Sequence, residues 1–177
     1  MKHSMQTITP FLWFNREAEA AARFYTSVFK TNSKIIKVTR YPESGAKASG
    51  HPANSVMTVA FQLNGQEFTA LNGGPHFKIN GAISFVVRCR TQAEIDYYWK
   101  KLSAGGKEIQ CGWLEDKFGV TWQIVPAILG DLVGHADPAK RERVMEALLN
   151  MVKLDVQKLK QAARGGNSTR VARRKKS

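Results

Sequence analysis

The chain has 177 residues, of which 43% are hydrophobic, and this is enough for one domain with a well-formed core. No stretch approaches the roughly 18 consecutive apolar residues of a membrane span, and the N-terminus carries no small-residue cleavage site. We therefore expect a cytoplasmic protein with no membrane partner. The two cysteines, Cys89 and Cys111, belong to no CxxC pair and are expected to be free thiols.

The formal net charge of +13 is unevenly distributed along the chain. Residues 1–134 contain 15 Lys and Arg against 10 Asp and Glu, whereas residues 135–177 contain 12 against 4. The segment 164–177 holds six of these basic residues and has no apolar periodicity, so we predict a disordered basic tail. The tail lacks interleaved aromatic residues and offers no specificity for bases, so nucleic acid is not the expected partner.

The first half of the chain predicts the order strand, helix, strand, strand, strand. An apolar run at 8–14 is followed by a segment rich in helix-forming residues, with Asn15 placed to cap the helix. The other predicted features are strands at 34–41, 55–63 and 67–71, a loop at 42–54 and a hairpin turn at Asn64-Gly65.

The same order returns after Asn72-Gly73-Gly74-Pro75. Phe24-Tyr25-x-x-Val28 in the first helix is echoed by Tyr98-Trp99-x-x-Leu102 in the second, which indicates an internal duplication. The sequence therefore predicts an α+β fold of two βαβββ modules. The predicted elements of the second are a strand at 82–89, a helix at 91–103, and strands at 108–114 and 120–125 around a turn at 116–119.

Residues 137–163 carry apolar side chains at helical spacing behind an Asp137-Pro138 start. This pattern predicts an amphipathic helix or a helix pair that must pack on something. Its partner is either the chain's own domain or a second subunit.

Three strings of this sequence resemble PhnB-like proteins, whose domain carries the label 3-demethylubiquinone-9 3-methyltransferase. They are FLWFNREAEAAARFYTSVF, GQEFTALNGGPHFKIN and AISFVVRCRTQAEIDYYWKKLSAGGKEIQCGWLEDKFGVTWQIVP. The resemblance covers residues 7–126 and extends into HADPAKRERVMEALLNMVKLDV. It implies the vicinal-oxygen-chelate fold of glyoxalases and bleomycin-resistance proteins, in which paired βαβββ modules form an incomplete barrel around a pocket. We expect a PhnB-like domain at 7–126, a helical extension at 127–163 and the tail at 164–177.

Metal-dependent members of that superfamily hold a divalent ion with His, Gln or Glu at matched strand positions. The resemblance places these positions on Pro10, counting back from Phe24-Tyr25, on Ala82 in the matching strand of the second module, and on Gln123 at the end of the DKFGVTWQ string. Of these only Gln123 offers a donor atom. We therefore expect no metal ion. We also expect no other cofactor, because Asn72-Gly73-Gly74 connects two strands instead of opening a helix as a nucleotide-binding loop would.

Strand alternation around these positions predicts which side chains line the pocket. Trp13 and Trp122, with Ile83, Phe85 and Ile124, are assigned to the side that faces the helices. The predicted ligand-pocket residues are Leu12, Phe14, Asn72, Ser84, Cys111, Trp113 and Gln123.

No catalytic residue is assigned. Cys111 is a possible nucleophile, but no basic neighbour is evident and a free cysteine is more often a buried apolar residue. His76 in the GGPHFK loop is a possible acid or base, but a lone loop histidine more often has no such role.

The pattern and the resemblance together favour a protein that binds or transforms a small, partly apolar molecule in the barrel cleft. The alternative is a non-catalytic binding module of the resistance type, and a less favoured one is nucleic-acid association through the tail. We expect a homodimer, because the superfamily commonly pairs modules between subunits and the helical segment at 137–163 carries an apolar stripe.

Overall fold

A computed structural model describes residues 8–165, which fall into two compact units. Unit 1 runs to Ile83 and also includes Asp116–Val120, whereas unit 2 contains Ser84–Glu115 and the chain from Thr121 onward. The elements of unit 1 are β1 (Phe11–Phe14), α1 (Ala18–Val28), β2 (Lys34–Arg40), α2 (Glu43–Ser49), β3 (Val56–Leu63) and β4 (Gln66–Asn72). The elements of unit 2 are β5 (Ser84–Cys89), α3 (Gln92–Leu102), β6 (Lys107–Glu108), a 3₁₀ turn (Gln110–Gly112), β7 (Trp113–Glu115), β8 (Thr121–Pro126), α4 (Leu129–Val133), α5 (Pro138–Leu149) and α6 (Val156–Arg164).

Each unit contains one four-stranded sheet, and the two sheets have the same connectivity. The strand orders are β1-β4-β3-β2 and β5-β8-β7-β6. In each sheet the first strand lies parallel to the last, and the other neighbours are antiparallel. The predicted α+β class and the paired βαβββ modules are confirmed.

The core of the first module lies between α1 and one face of its sheet. α1 buries Ala18, Ala21, Ala22, Tyr25 and Val28, which share one side of the helix at a spacing of three or four residues. The Tyr25 ring stacks on Phe61 of β3 with 6.2 Å between ring centroids. Alanine is a strong helix former, and its small side chain brings the helix close to the sheet.

The second module repeats this arrangement with different residues. Thr91 caps α3 by accepting a hydrogen bond from the Glu94 backbone N–H, and the Glu94 side chain completes the capping box. Trp99 and Leu102 are buried at the helix positions that Tyr25 and Val28 occupy in α1. The sequence echo therefore marks equivalent core positions.

The segment after β8 folds into helices that pack on unit 2 itself. Asp137 caps α5 and Pro138 is its first residue, as the sequence predicted. Of the two partners that the sequence left open, the chain's own domain covers the apolar stripe. The buried cluster consists of Val125, Val144, Leu148, Leu154, Leu159 and Ala163.

Two local predictions in the first module are wrong. The predicted loop at 42–54 contains α2, which begins after Pro42, buries Ala46 and ends at Gly50 in the left-handed conformation. Asn15 does not cap α1, because the first helical N–H, that of Ala18, is bound by the side chain of Asn72.

The predicted strand at 108–114 is interrupted. The chain forms β6, then a 3₁₀ turn in which Cys111 has a φ of 63°, and then β7. Gly112 follows with a φ of 83°, and a Cβ atom there would lie 2.8 Å from the Ile124 carbonyl oxygen. The predicted basic tail falls almost entirely on residues 166–177, which lie outside the described residues.

Candidate functional site

The sheet of unit 2 buries one face against α3 and presents polar side chains on the other. Trp122 and Ile124 are buried, as predicted, and Gln123 between them is only partly buried. Ile83 does not belong to this core; it lies before β5 and is 74% exposed, so its predicted orientation is wrong. We call the side of the sheet away from α3 the Gln123 face, and it comprises Ser84, Val86, Arg88, Trp113, Glu115, Thr121, Gln123 and Val125.

A hydrogen-bonded pair occupies the Gln123 face. The Gln123 Nε2 donates to the Ser84 Oγ at 2.8 Å. Val86 of β5 and Trp113 of β7 lie directly opposite Gln123 on its two neighbouring strands. The structure therefore brings together Ser84, Trp113 and Gln123, three of the residues that the sequence assigned to the pocket.

Cys111 lies beside the C-terminal helices and not in the row of Gln123. Its backbone N–H donates to the Met151 carbonyl at 2.7 Å, and its partly buried side chain packs against the apolar cluster of the helices. The other cysteine, Cys89, is buried in the core. Burial and the nearby charge of Glu94 raise the pKa of the Cys89 thiol to about 12, so it stays protonated near neutral pH.

In unit 1 the predicted orientation of β1 is wrong. Phe14 is buried on the side of α1, and Leu12, two residues earlier, shares that side. Trp13, which the sequence assigned to the core, lies on the opposite side. The assignment rested on counting back from Phe24-Tyr25 across the connection between β1 and α1, and the alternation of strand side chains cannot be followed across such a connection.

Asn72 also lies on the side of α1, where both ends of its amide are occupied. The Oδ1 atom accepts from the Ala18 backbone N–H at 2.8 Å, and the Nδ2 atom donates to the Val56 carbonyl at 3.0 Å. The Tyr41 hydroxyl donates to the Asn72 carbonyl at 2.5 Å. This side chain joins α1 to the sheet, and its predicted contact with ligand stays a prediction.

Unit 1 has a cleft of about 340 Å³ beside the end of β1. Trp13 stands on one wall, where its Nε1 donates to the Gly74 carbonyl at 2.9 Å and its ring contacts Phe77 edge-on. Gly73 makes room for this ring, because a Cβ atom there would lie 2.3 Å from it. Of the residues that line this cleft, the sequence had assigned only Phe14 to a pocket.

A buried carboxylate fixes the turn that forms another wall of this cleft. The Asp116 Oδ1 accepts from the backbone N–H groups of Phe118 and Val120, and the Oδ2 accepts from the Tyr25 hydroxyl at 2.8 Å. Burial and the neighbouring Asp116 carboxylate raise the pKa of Tyr25 well above its ordinary value. The turn therefore presents Lys117 and Phe118 to the cleft in a fixed conformation.

The chain matches the model of a known protein family over residues 6–125, about two thirds of its length. The family is described as 3-demethylubiquinone-9 3-methyltransferase. The chain belongs to this family. The PhnB-like resemblance read from the sequence is thereby confirmed.

Solved structures agree with this assignment. A PhnB protein from Bacillus cereus, named for the same methyltransferase family, is 37% identical; the match covers 69% of this chain and 100% of that one, with a TM-score of 0.61. A protein from Pseudomonas aeruginosa is 22% identical over 70% of this chain and 98% of that one, with a TM-score of 0.53, and shows the same fold. No curated protein sequence matches the chain.

The three residues that the resemblance assigned to the superfamily's ligand positions do not together form a site for a divalent ion, and Pro10 among them was reached by the count that the orientation of β1 overturns. Pro10 precedes β1 and Ala82 lies exposed in the turn before β5, and neither side chain has a donor atom. The Gln123 amide already bonds to Ser84. Within residues 8–165 no group of three or more His, Cys, Asp or Glu side chains is placed to hold a metal, and no helix in that range is long and apolar enough to cross a membrane.

Proposed function

We propose that this PhnB-like protein binds a small, partly apolar molecule on the Gln123 face. The observation that supports this proposal is the hydrogen bond between Gln123 and Ser84 on the side of the sheet away from α3. Small-molecule sites combine apolar walls with a few polar groups that fix orientation. Val86, which is 45% exposed, and Trp113 provide the apolar surface beside the pair.

The pair has hydrogen-bonding capacity left for a ligand. Ser84 accepts from Gln123, so its hydroxyl hydrogen is available to donate, and the Gln123 Oε1 is available to accept. Among residues 8–165, neither atom has another protein partner. One donor and one acceptor side by side suit a ligand amide, carboxylic acid or hydroxy ketone.

We propose binding as the primary activity, because the groups on this face recognise a polar function without supplying a nucleophile and a base. Ser84 is hydrogen-bonded to a neutral amide, which cannot remove its proton as the bases that activate serine nucleophiles do. Product formation from a bound compound would replace this proposal with an enzymatic one.

The ligand for the test comes from a library of small amides, acids and hydroxy ketones. The library is screened by thermal shift, and the hits are then measured by calorimetry. Ser84→Ala and Gln123→Ala should each weaken its binding at least tenfold and change the melting temperature little. Gln66→Ala, at an exposed glutamine of β4, is the matched control and should leave affinity unchanged. The proposal fails if the two variants keep full affinity and destabilise the protein as much as Phe85→Ala does.

We further propose that ligand binding needs no metal ion. This proposal rests on Ala82, whose side chain has no donor atom, and on Gln123, whose neutral amide already bonds to Ser84. Chelator treatment should leave affinity unchanged, and zinc, nickel, manganese or magnesium should not raise the melting temperature. Tight binding of one equivalent of any of these ions with a rise in melting temperature would contradict the proposal, because a bound ligand stabilises the folded state.

We propose that the protein is a cytoplasmic homodimer. The apolar stripe of 137–163 gives little support for a dimer, since the chain's own domain buries most of it and only Val152 of the stripe stays largely exposed. The support comes instead from unit 1, where Ile8 and Phe11 are more than half exposed. Light scattering should give about twice the chain mass of 19.8 kDa, and a constant monomer mass over a wide concentration range would exclude a dimer.

The basic tail is the basis of a further proposal about partners. We propose that it does not confer specific nucleic-acid binding, because its Lys and Arg residues have no interleaved aromatic side chains. Removal of residues 165–177 should change only weak, salt-sensitive binding to DNA. Sequence-selective binding by the full chain that is lost on truncation would overturn this view.

A further inference from the structure

We propose that the cleft of unit 1 is a second binding site, specific for small aromatic carboxylates. Its residues belong to unit 1 alone, and it shares none of them with the Gln123 face. The inference therefore does not depend on the function proposed above. It combines the aromatic wall of the cleft, its unpaired positive charges and its size.

The wall of the cleft is built from aromatic rings. Phe77 is 67% exposed, and its ring lies 4.9 Å from the Trp13 ring in a T-shaped contact. Phe118 faces Phe14 from the turn, with 6.4 Å between the ring centroids. Because the indole N–H of Trp13 is already bound to Gly74, this wall offers ring surfaces to a ligand. Aromatic ligands gain from edge-to-face and offset contacts with such rings.

Two ammonium groups at the cleft, those of Lys78 and Lys117, have no carboxylate partner among residues 8–165. The Lys117 Nζ lies 4.6 Å from the centroid of the Phe24 ring and 5.1 Å from that of Phe118. Neither Lys117 nor Lys78 forms an ion pair with any residue in the described part of the chain. Glu17, the carboxylate of the lining, accepts a hydrogen bond from the Arg16 backbone N–H at 2.9 Å. The lining therefore has an excess of positive charge and favours an anion.

The buried Asp116 makes this arrangement rigid. Its carboxylate binds the backbone of the turn and the Tyr25 hydroxyl, so Lys117 and Phe118 are held in place before any ligand arrives. A site that is ordered beforehand loses less entropy on binding. The conformation of this turn is thus suited to a binding role as well as to stability.

The size of the cleft restricts the ligand class. At about 340 Å³ it lies near the lower end of small-molecule sites, which span roughly 300–1,000 Å³. One or two fused rings with a carboxylate match this volume. The carboxylate meets the lysines while the rings contact Trp13, Phe77 and Phe118.

Calorimetry of the full chain with 2-naphthoate and with its neutral analogue 2-naphthamide tests the proposal. We expect 2-naphthoate to bind at least tenfold more tightly, and the difference to shrink as salt rises. Lys78→Met combined with Lys117→Met should abolish the preference while leaving the weak binding of 2-naphthamide. Lys47→Met, at an exposed lysine of α2, is the matched control and should keep the preference.

Two further variants complete the test. Phe77→Ala should weaken both compounds, and its exposure means that the fold should tolerate the change. Ser84→Ala should keep the preference for 2-naphthoate over 2-naphthamide, since Ser84 belongs to unit 2 and the lysines to unit 1. Equal affinity of the wild-type protein for the two compounds, absence of binding, or a preference that survives in the double variant would each overturn the proposal.

Discussion

The two modules have the same strand order, and in both of them one face of the sheet is covered by the helix. They differ in the length of the connection from the first strand to the helix, which is one residue longer in the first module. Phe14 ends β1 opposite Asn72, and Cys89 ends β5 opposite Pro126; all four residues are buried. Three residues separate Phe14 from α1, whereas two separate Cys89 from α3. Because strand side chains alternate between faces, one added residue moves a whole strand's assignment to the other face.

Strand faces assigned by alternation within a strand were correct in the second module, whereas those assigned by counting across a connection were wrong in the first. Alternation around Gln123 used residues within β8 and gave the correct faces there. Counting from Tyr25 to Pro10 crossed the connection between α1 and β1, where the extra residue lies. Periodicity is reliable within an element, and it is lost across a loop whose length is not fixed by the fold.

The assignment of β1 side chains to the two faces of the sheet is tested most strongly by truncating two aromatic side chains of this strand. Phe14→Ala should lower the free energy of unfolding by about 3–5 kcal/mol, because it leaves a cavity under α1. Phe11→Ala should cost less than about 1 kcal/mol, since this ring is 59% exposed on the other face. Urea denaturation measures both, and the reverse order would restore the orientation predicted from sequence.

The second module contains a 3₁₀ turn between β6 and β7 that has no counterpart in the described part of the first module. Gly112→Ala should cost about 2–4 kcal/mol, because it combines a positive φ with a collision against the Ile124 carbonyl. Gly119→Ala is the control: its φ of 82° is similar but its surroundings are open, so about 1–2 kcal/mol is expected. Equal losses measured by thermal unfolding would mean that the collision is relieved at no cost.

The buried titratable groups of the two modules should also make the stability of the protein depend on pH in different parts of the alkaline range. The pKa of Cys89 is raised from 9.0 to about 12, so the folded state holds this proton more tightly than the unfolded state. Its contribution to stability is complete below pH 9.0 and is lost as the pH rises towards 12. Tyr25 behaves in the same way, with its loss beginning above its ordinary pKa of 10.0.

Denaturation between pH 8 and pH 11 separates the two groups. Cys89→Ala should flatten the decline that starts near pH 9, and Tyr25→Phe should flatten only the later part. If neither substitution changes the pH dependence, the burial of these groups does not control alkaline stability.

The smallest expected effect concerns the helical extension that only the second module carries. Lys153, just before α6, pairs with Asp96 of α3 at 2.6 Å on the surface, and this hydrogen bond lowers the pKa of Asp96. Lys153→Ala should cost less than about 1 kcal/mol, and the loss should vanish in high salt. The contribution of the pair is present above the ordinary pKa of Asp96, 3.8, and should disappear as the pH falls below it.

Much of the fold could be predicted because its signals are local. Asn64 and Gly65 both have positive φ, as the hairpin sequence indicates, and Thr91 and Asp137 cap the helices that they precede. α2 was missed because the Gly and Ser residues of this segment were taken to indicate a loop. Pro42 before the helix and Gly50 after it are the boundary signals that indicate a helix.

The site was predicted only in part. Ser84 and Gln123 lie on parallel neighbouring strands, and alternation within each strand placed them on one face. No local pattern indicates that Asn72 caps α1 or that Asp116 bonds to Tyr25, since these partners are 54 and 91 residues apart. The unpaired lysines and aromatic wall of the cleft likewise come from separate segments that only the folded chain brings together.

The turn at Asp116–Val120 has a consequence for the order in which the chain folds. It is encoded between two strands of the second module, yet it belongs to unit 1. During synthesis, when the residues up to Ile83 have left the ribosome, the hydroxyl of Tyr25 still lacks its carboxylate partner. The first module is therefore completed only after most of the second has been made, and an isolated N-terminal half should be aggregation-prone instead of folding as an independent domain.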